Sequence, residues 1–148
     1  MELTSIVVYV DDGAVPAALE FYERALGLTR RFYDPDYQFG ELTGCGASTL
    51  AVAAHVTGER LMPVGYERPN LGTRVSNIEV AFTTDDVRGA FTRAVAAGAK
   101  VLAEPYVLPW GQEVAYVRAP DGTLLELCAP LPAPESGSGE STPAPPVF

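Results

Sequence analysis

The chain has 148 residues, the size of one ordinary domain, and 47% of them are hydrophobic, which is enough to build a core. Nineteen acidic against ten basic residues give a net charge of −9, which argues against a nucleic-acid partner and a basic membrane-surface helix. No apolar run approaches the roughly 20 residues of a membrane span, and we expect no signal peptide. Cys45 and Cys128 are too few for a disulfide framework, which predicts a reduced, cytoplasmic protein.

The first half of the chain predicts one strand, one helix and then three more strands. The strand over 5–10 is β-branched and aromatic, and an Asp-Asp-Gly turn follows it. Apolar residues then recur with helical spacing from about 14 to 26, and Gly27 ends the pattern. Three short strands are expected at about 29–33, 37–42 and 49–55. A polar loop is predicted over 58–73.

The same order of elements returns in the second half. A strand over 77–83 leads through an acidic turn into a second amphipathic helix. Short strands are then expected at about 100–102, 113–118 and 124–128. Asp12 aligns with Asp86, and Leu50 with Leu125, at nearly the same offset. The pattern therefore indicates a duplicated βαβββ unit.

The C-terminal segment over 130–148 has a different composition. It is rich in Pro, Gly and Ser, and it has almost no apolar residue before Val147. Such a segment buries too little surface to offset its ordering entropy, so we expect it to be disordered. One folded domain is then expected over 1–129. Its predicted parts are module one over about 3–56, a linker over 57–74 and module two over about 75–129.

Strand alternation assigns side chains to the two faces of each predicted sheet. In the first strand the apolar row Ile6, Val8 and Val10 should face the helix, which leaves Ser5 on the opposite, concave face. The same rule places further residues on the concave face, namely Ala51, His55, Glu79 and Glu126.

Three stretches resemble the vicinal oxygen chelate superfamily, which includes glyoxalase I, extradiol dioxygenases, fosfomycin-resistance enzymes and bleomycin-binding proteins. VVYVDDGAVPAALEFYERALGL is similar to its first module, VAFTTDDVRGAFTRAVAAGAKVLAEP to its second, and PWGQEVAYVRAPDGTLLELCAP to its closing hairpin. The resemblance implies an α+β fold in which two tandem βαβββ modules form a half-barrel-like mixed sheet that lines a cleft, with helices outside. It also implies a homodimer. Whether the modules pair within one chain or between two stays open.

In the metal enzymes of this superfamily, four ligands drawn from His, Gln and Glu come from the concave face. The resemblance places these positions on Ser5, Ala51, Glu79 and Glu126. Serine is a poor ligand, alanine is none, and imidazole is missing from all four positions, so we expect no metal and no cofactor. Weak binding of Mg²⁺ or Mn²⁺ by the two carboxylates stays open. The single histidine, His55, lies four residues past the ligand position that the resemblance places on Ala51.

The concave carboxylates have three possible roles. Glu79 and Glu126 can share a proton and supply a general base, accept hydrogen bonds from a ligand, or be relics of ancestry. Aromatic side chains predict a flat ligand at the cleft mouth, with the sole tryptophan in a loop. The candidate ligand-binding residues are Trp110, Tyr33, Tyr37, Phe39, Tyr106, Glu79, Glu126, Ser5, His55 and Gln112.

The sequence favours a non-catalytic protein that sequesters an aromatic or polycyclic natural-product antibiotic, as bleomycin-binding members of the superfamily do. The alternative is an enzyme of natural-product metabolism. It would be a metal-independent isomerase or cyclase that uses Glu79 or Glu126, or a metal-dependent lyase or dioxygenase.

Overall fold

A computed structural model describes residues 1–68, 72, 75 and 77–131. The predicted disordered tail lies, from residue 132 onward, outside the described residues. The elements are β1 (Ser5–Val10), α1 (Val15–Leu26), β2 (Thr29–Asp34), β3 (Phe39–Cys45), β4 (Ser48–Ala54), α2 (His55–Leu61), β5 (Glu79–Thr83), α3 (Val87–Ala96), β6 (Lys100–Val107), β7 (Glu113–Arg118) and β8 (Leu124–Cys128). None of the helices in these ranges is long and apolar enough to cross a membrane.

The eight strands form two mixed sheets with the same internal order. The first sheet runs β1-β4-β3-β2 and the second runs β5-β8-β7-β6. In each sheet the first strand pairs in parallel with the last strand of its module, and the other neighbours are antiparallel. This confirms the α+β fold and the two tandem βαβββ modules. It also leaves β1 and β5 at sheet edges.

Local signals explain where the two long helices begin and end. In α1, Pro16 occupies the first turn, where its missing N–H costs nothing, and Gly27 ends the helix in a left-handed conformation with a φ of 69°. In α3, the side chain of Asp86 caps the N-terminus by accepting a hydrogen bond of 2.8 Å from the Gly89 N–H.

Two elements differ most from the sequence prediction. Residues expected to end a strand and begin a polar loop form the short helix α2. Its support is tertiary, since the Val56 N–H donates to Asp12 and the Thr57 hydroxyl donates to the Tyr37 carbonyl. Strand β6 runs five residues beyond its predicted end and contains Pro105. Because β6 is an edge strand, a residue without an N–H is tolerated there.

Helices α1 and α3 pack on one face of their sheets, and the predicted apolar rows face them. Ile6, Val8 and Val10 of β1 contact the common hydrophobic core, as do Leu125 and Leu127 of β8. The two modules meet through α1 and α3, and the two sheets share no strand pairing in the described chain. The buried Tyr22 hydroxyl donates a 2.8 Å hydrogen bond to Asp121 and so fastens α1 to the turn between β7 and β8. We call the sheet side away from the helices the open face of each module.

Candidate functional site

The open face of module two gathers most of the polar candidates. Strand register places Glu126 of β8 between Ala81 of β5 and Tyr116 of β7. Glu79 lies two residues before Ala81, so its side chain is on the same face. The central strand and its two neighbours therefore bring two carboxyl groups and one phenol together.

These groups form one hydrogen-bonded cluster. The Tyr116 hydroxyl donates to Glu126 Oε1 at 3.2 Å. Partial desolvation raises the pKa of Glu79, and a hydrogen bond to Glu126 and the charge of Glu126 raise it further. Burial and the neighbouring carboxylate also hold the pKa of Tyr116 well above its usual range. The cluster therefore carries a carboxyl pair that favours sharing a proton, beside a phenol that stays a donor.

One aromatic ring stands next to the cluster, and a second one lies in the turn before β7. Tyr106 of β6 is 42% exposed, and its ring centre lies 6.4 Å from that of Tyr116. Trp110 lies in the turn between β6 and β7, and its indole N–H donates to Gln112 Oε1 at 3.1 Å. Gln112 in turn donates to the Ala129 carbonyl at 2.8 Å. Gln112 thus holds the orientation of the indole ring.

The open face of module one is mainly apolar. Ala51 and Ala53 of β4 are buried, and their register partners are Val7 and Tyr9 on β1 and Glu41 and Phe39 on β3. The larger neighbours cover the two alanines, which are 0% and 1% exposed. The candidate Ser5 stands at the start of β1 opposite Thr49, and Phe39 contacts Phe32 with ring centres 5.8 Å apart.

Three candidates from the sequence lie elsewhere. Tyr33 pairs with Gly40 and packs against the core. A register shift after Arg30 turns Phe32 to the open face, so the next residue, Tyr33, faces the core. Tyr37 is 68% exposed in the turn between β2 and β3. His55 is 3% exposed, and its Nδ1 lies 2.8 Å from the Tyr66 hydroxyl. The positions of Tyr33 and His55 do not fit direct contact with a ligand on an open face.

Sequence analysis missed Tyr116, the phenol of the cluster. The signal was available, because the Asp121-Gly122 turn fixes the register of β7 and β8 and sets Tyr116 opposite Glu126. It also missed Tyr66, which contacts Tyr9 with ring centres 5.3 Å apart. No periodic pattern marks Tyr66, since it follows α2 in an irregular segment.

The residues at the family's metal-ligand positions do not fit a transition-metal site. Glu79 and Glu126 stand on the open face of module two, whereas Ser5 and Ala51 stand on that of module one and offer a hydroxyl and a methyl group. The single imidazole is engaged with Tyr66. Among residues 1–68, 72, 75 and 77–131, no group of three His, Cys, Asp or Glu side chains is placed to hold an ion. We derive no chemistry through a metal.

Residues 3–127 match the family model described as "Glyoxalase/Bleomycin resistance protein/Dioxygenase superfamily". The chain belongs to this superfamily. No curated protein matched the chain. The superfamily match spans both βαβββ modules and confirms the resemblance of the three sequence stretches. Because the fold hosts several activities, membership alone does not choose between a binder and an enzyme.

Solved structures agree on the fold of this superfamily member. A glyoxalase-related enzyme from Fulvimarina pelagi is 22% identical, with a TM-score of 0.74 over 93% of this chain and 96% of that chain. TioX from Micromonospora sp. ML1 is 20% identical, with a TM-score of 0.63 over 87% of this chain and 98% of that chain. Lactoylglutathione lyase from Agrobacterium tumefaciens is 24% identical, with a TM-score of 0.64 over 87% of this chain and 93% of that chain.

Proposed function

We propose that this protein binds and sequesters an aromatic or polycyclic natural-product antibiotic in the cytoplasm. One observation carries the proposal: the carboxyl pair and Tyr116 stand beside the exposed ring of Tyr106 on an open sheet face. An aromatic ring is a stacking surface for a flat ligand, and the adjacent carboxyl groups accept hydrogen bonds from its polar substituents.

The charge of the site selects a class of ligand. The cluster contains two carboxyl groups, and the chain as a whole carries a net charge of −9. An acidic surface attracts cations and repels anions. The ligand class that fits best is therefore a flat aromatic compound with an amine or several hydroxyl groups.

A homodimer with two clefts completes the proposal. Among the described residues, the main contact between the modules is that of α1 with α3, and we propose that a second copy supplies the wall that faces each open face. Strands β1 and β5 are at sheet edges, where a second copy can cover backbone groups. We propose that the apolar open face of module one in one copy faces the acidic open face of module two in the other.

A metal-independent isomerase or cyclase is the second candidate. The observation that favours it is the raised pKa of Glu79, which comes from desolvation and from Glu126 and brings a carboxylate closer to the basicity of a general base. In that reaction Glu79 would take a proton from the substrate while Tyr116 donates a hydrogen bond to a developing oxyanion.

Calorimetric titration with proflavine, a flat aromatic amine, tests the proposed function. Wild-type protein should bind it saturably, and Glu126→Gln should lose about 10- to 150-fold in affinity, since a hydrogen bond to a charged group is lost. Glu20→Gln removes a carboxylate from the exposed surface of α1 and serves as the matched control. Absence of wild-type binding, or equal losses in both variants, would contradict the proposal.

Product analysis separates the binder from the enzyme. A mixture of biosynthetic polyketide or peptide intermediates incubated with the protein should be recovered unchanged by mass spectrometry. A new product that forms with wild type and Glu20→Gln, and not with Glu79→Gln, would establish the enzyme instead.

A further inference from the structure

A cavity of about 310 Å³ lies beside α1, where the two modules meet. Its lining includes Asp11 at the end of β1, Ala17 and Phe21 of α1, His55, and Asp121 of the turn between β7 and β8. We call it the junction cavity. It shares no lining residue with the carboxyl cluster of module two, and its volume is at the small end of the range for ligand pockets.

A buried imidazole borders this cavity. His55 is 3% exposed, and its Nδ1 lies 2.8 Å from the Tyr66 hydroxyl. Its Nε2 lies 3.9 Å from Asp11 Oδ1, which is too far for a direct hydrogen bond. Within residues 1–68, 72, 75 and 77–131, neither Nε2 nor the Asp11 carboxylate, whose side chain is 83% exposed at the cavity mouth, has a hydrogen bond of its own. The cavity therefore offers a nearly buried nitrogen and a carboxylate to a ligand.

The gap between these two atoms fits one bridging atom. An atom about 2.9 Å from each of them, the usual hydrogen-bond distance, spans the 3.9 Å between His55 Nε2 and Asp11 Oδ1. In the tautomer whose Nδ1–H donates to Tyr66, Nε2 is an acceptor, as is the carboxylate. An ammonium group suits two acceptors, because it has three N–H donors and no acceptor.

Charge and wall chemistry define the rest of the ligand. Besides the imidazole, the ionisable side chains around the cavity are three carboxylates and the guanidinium of Arg24, which lies 3.8 Å from the carboxylate of Glu20. The other two carboxylates, of Asp11 and Asp121, leave the cavity acidic, and an acidic cavity favours a cation. The remaining walls are mainly small and apolar, with several alanines and one phenylalanine ring from α1. They suit a short apolar or aromatic body.

We propose that the junction cavity is a second binding site, for a small primary amine with an apolar body, whose ammonium group bridges Asp11 and His55. The site lies on neither open face, so this inference goes beyond the proposed function and does not depend on it. It also assigns a use to the single histidine of the chain, which the carboxyl cluster does not engage.

Three probes of nearly equal shape test the site by calorimetric titration. 2-Phenylethylamine is a cation, 2-phenylethanol is neutral and phenylacetate is an anion. Wild-type protein should bind the amine saturably and at least about tenfold more tightly than the alcohol, since a charge-assisted hydrogen bond is stronger than a neutral one. Phenylacetate should bind most weakly of the three, because Asp11 and Asp121 repel it.

Two variants with matched controls locate the bound amine. Asp11→Asn keeps the shape of the side chain and removes its charge, and it should lower the amine affinity about tenfold. Asp36→Asn, in the exposed turn between β2 and β3, is its control. Ala17→Leu fills the cavity from an exposed position of α1 and should lower the affinity at least about tenfold. Ala96→Leu, on the exposed surface of α3 outside the cavity, should keep the wild-type affinity.

Both losses, each absent from its control, support the junction cavity. Failure of wild-type protein to bind the amine, a loss missing from either variant, or an alcohol affinity equal to that of the amine would overturn it. Amine binding that is lost in Glu126→Gln and kept in Asp11→Asn would place the amine on the open face of module two and overturn it as well. None of these results alters the proflavine titration, so the proposed function stands or falls separately.

Discussion

Glu79 is the residue whose chemistry depends most on its neighbours. Its carboxyl group lies on a sheet surface, is partly desolvated, and is hydrogen-bonded to a second carboxyl group. Both effects favour the protonated form, so the folded chain holds a proton there more tightly than the unfolded chain does. The carboxyl groups of Glu79 and Glu126 are also the proposed anchor for a ligand amine or hydroxyl group. A substitution of Glu79 should therefore change both ligand affinity and the stability of the fold.

The stability of the protein should therefore depend on Glu79 in a defined direction. A carboxyl group with a raised folded pKa contributes stability below its unfolded pKa of about 4.5 and loses that contribution as pH rises through the folded pKa. Glu79→Gln should remove this loss, so the variant gains stability relative to wild type between pH 4 and 7. The gain should stay below about 1 kcal/mol, because the pair is partly exposed.

Urea unfolding at several pH values measures this effect. Glu104→Gln, on the exposed edge strand β6, is the matched control and should keep the wild-type pH profile. A Glu79→Gln profile parallel to wild type across the whole range would show that the carboxyl pair does not share a proton.

Trp110 should contribute to ligand affinity. Its indole ring is 36% exposed and is oriented by the hydrogen bond to Gln112, so it presents a ready surface for stacking. Trp110→Ala should weaken proflavine binding by about 1–3 kcal/mol, or about 5- to 150-fold. Titration calorimetry of this variant beside Leu61→Ala, an exposed apolar residue of α2, measures the loss. Equal affinities in the two variants would place the ligand away from Trp110.

One buried phenol hydrogen-bonds α1 to module two, beside the packing of α1 on α3. Burial holds the pKa of Tyr22 well above its usual range, so its hydroxyl remains a donor to Asp121. Tyr22→Phe should lower the free energy of unfolding by about 1–3 kcal/mol, because a part-buried hydrogen bond to a carboxylate is lost. Tyr37→Phe, in an exposed turn, should change it little. Chemical denaturation measures the free energy of unfolding of both variants. Equal values would show that the hydrogen bond from Tyr22 to Asp121 does not stabilise the fold.

Elements with a strong local pattern are predicted well from this sequence. Strands β1, β7 and β8 have the predicted bounds, because alternating apolar residues and the Asp121-Gly122 turn fix their ends. The apolar rows face the helices as alternation requires. The positions of Glu79 and Glu126 on one face follow from the same periodicity.

Elements that depend on distant partners are not visible in the sequence. Helix α2 has no apolar stripe of its own and is fastened by Asp12, more than forty residues earlier. The register shift in β2 reverses the expected side of Tyr33, since one extra residue moves every later side chain to the other face. Tyr66 has the same difficulty, because its contacts with Tyr9 and His55 depend on the path of the irregular segment after α2.

At the scale of the whole molecule, the proposed clefts form between the open faces of one chain and those of a second chain. Light scattering should therefore give twice the 15.7 kDa mass of a single chain at micromolar concentration. Exposed Val7 on the open face of module one offers a direct check, because Val7→Glu would set an added charge against the acidic face of the partner. That variant should dissociate, whereas Val64→Glu, at an exposed position after α2, should remain dimeric. A monomeric wild-type protein would refute the paired clefts.

The central claim is that the acidic, aromatic open face of module two binds a flat amine. A crystal structure of the protein soaked with proflavine tests it most directly. The account predicts the ring system stacked on Tyr106 or Trp110, with an amine within hydrogen-bond distance of the Glu79 and Glu126 carboxyl groups. Proflavine bound at another surface, with this face vacant at a saturating concentration, would contradict it.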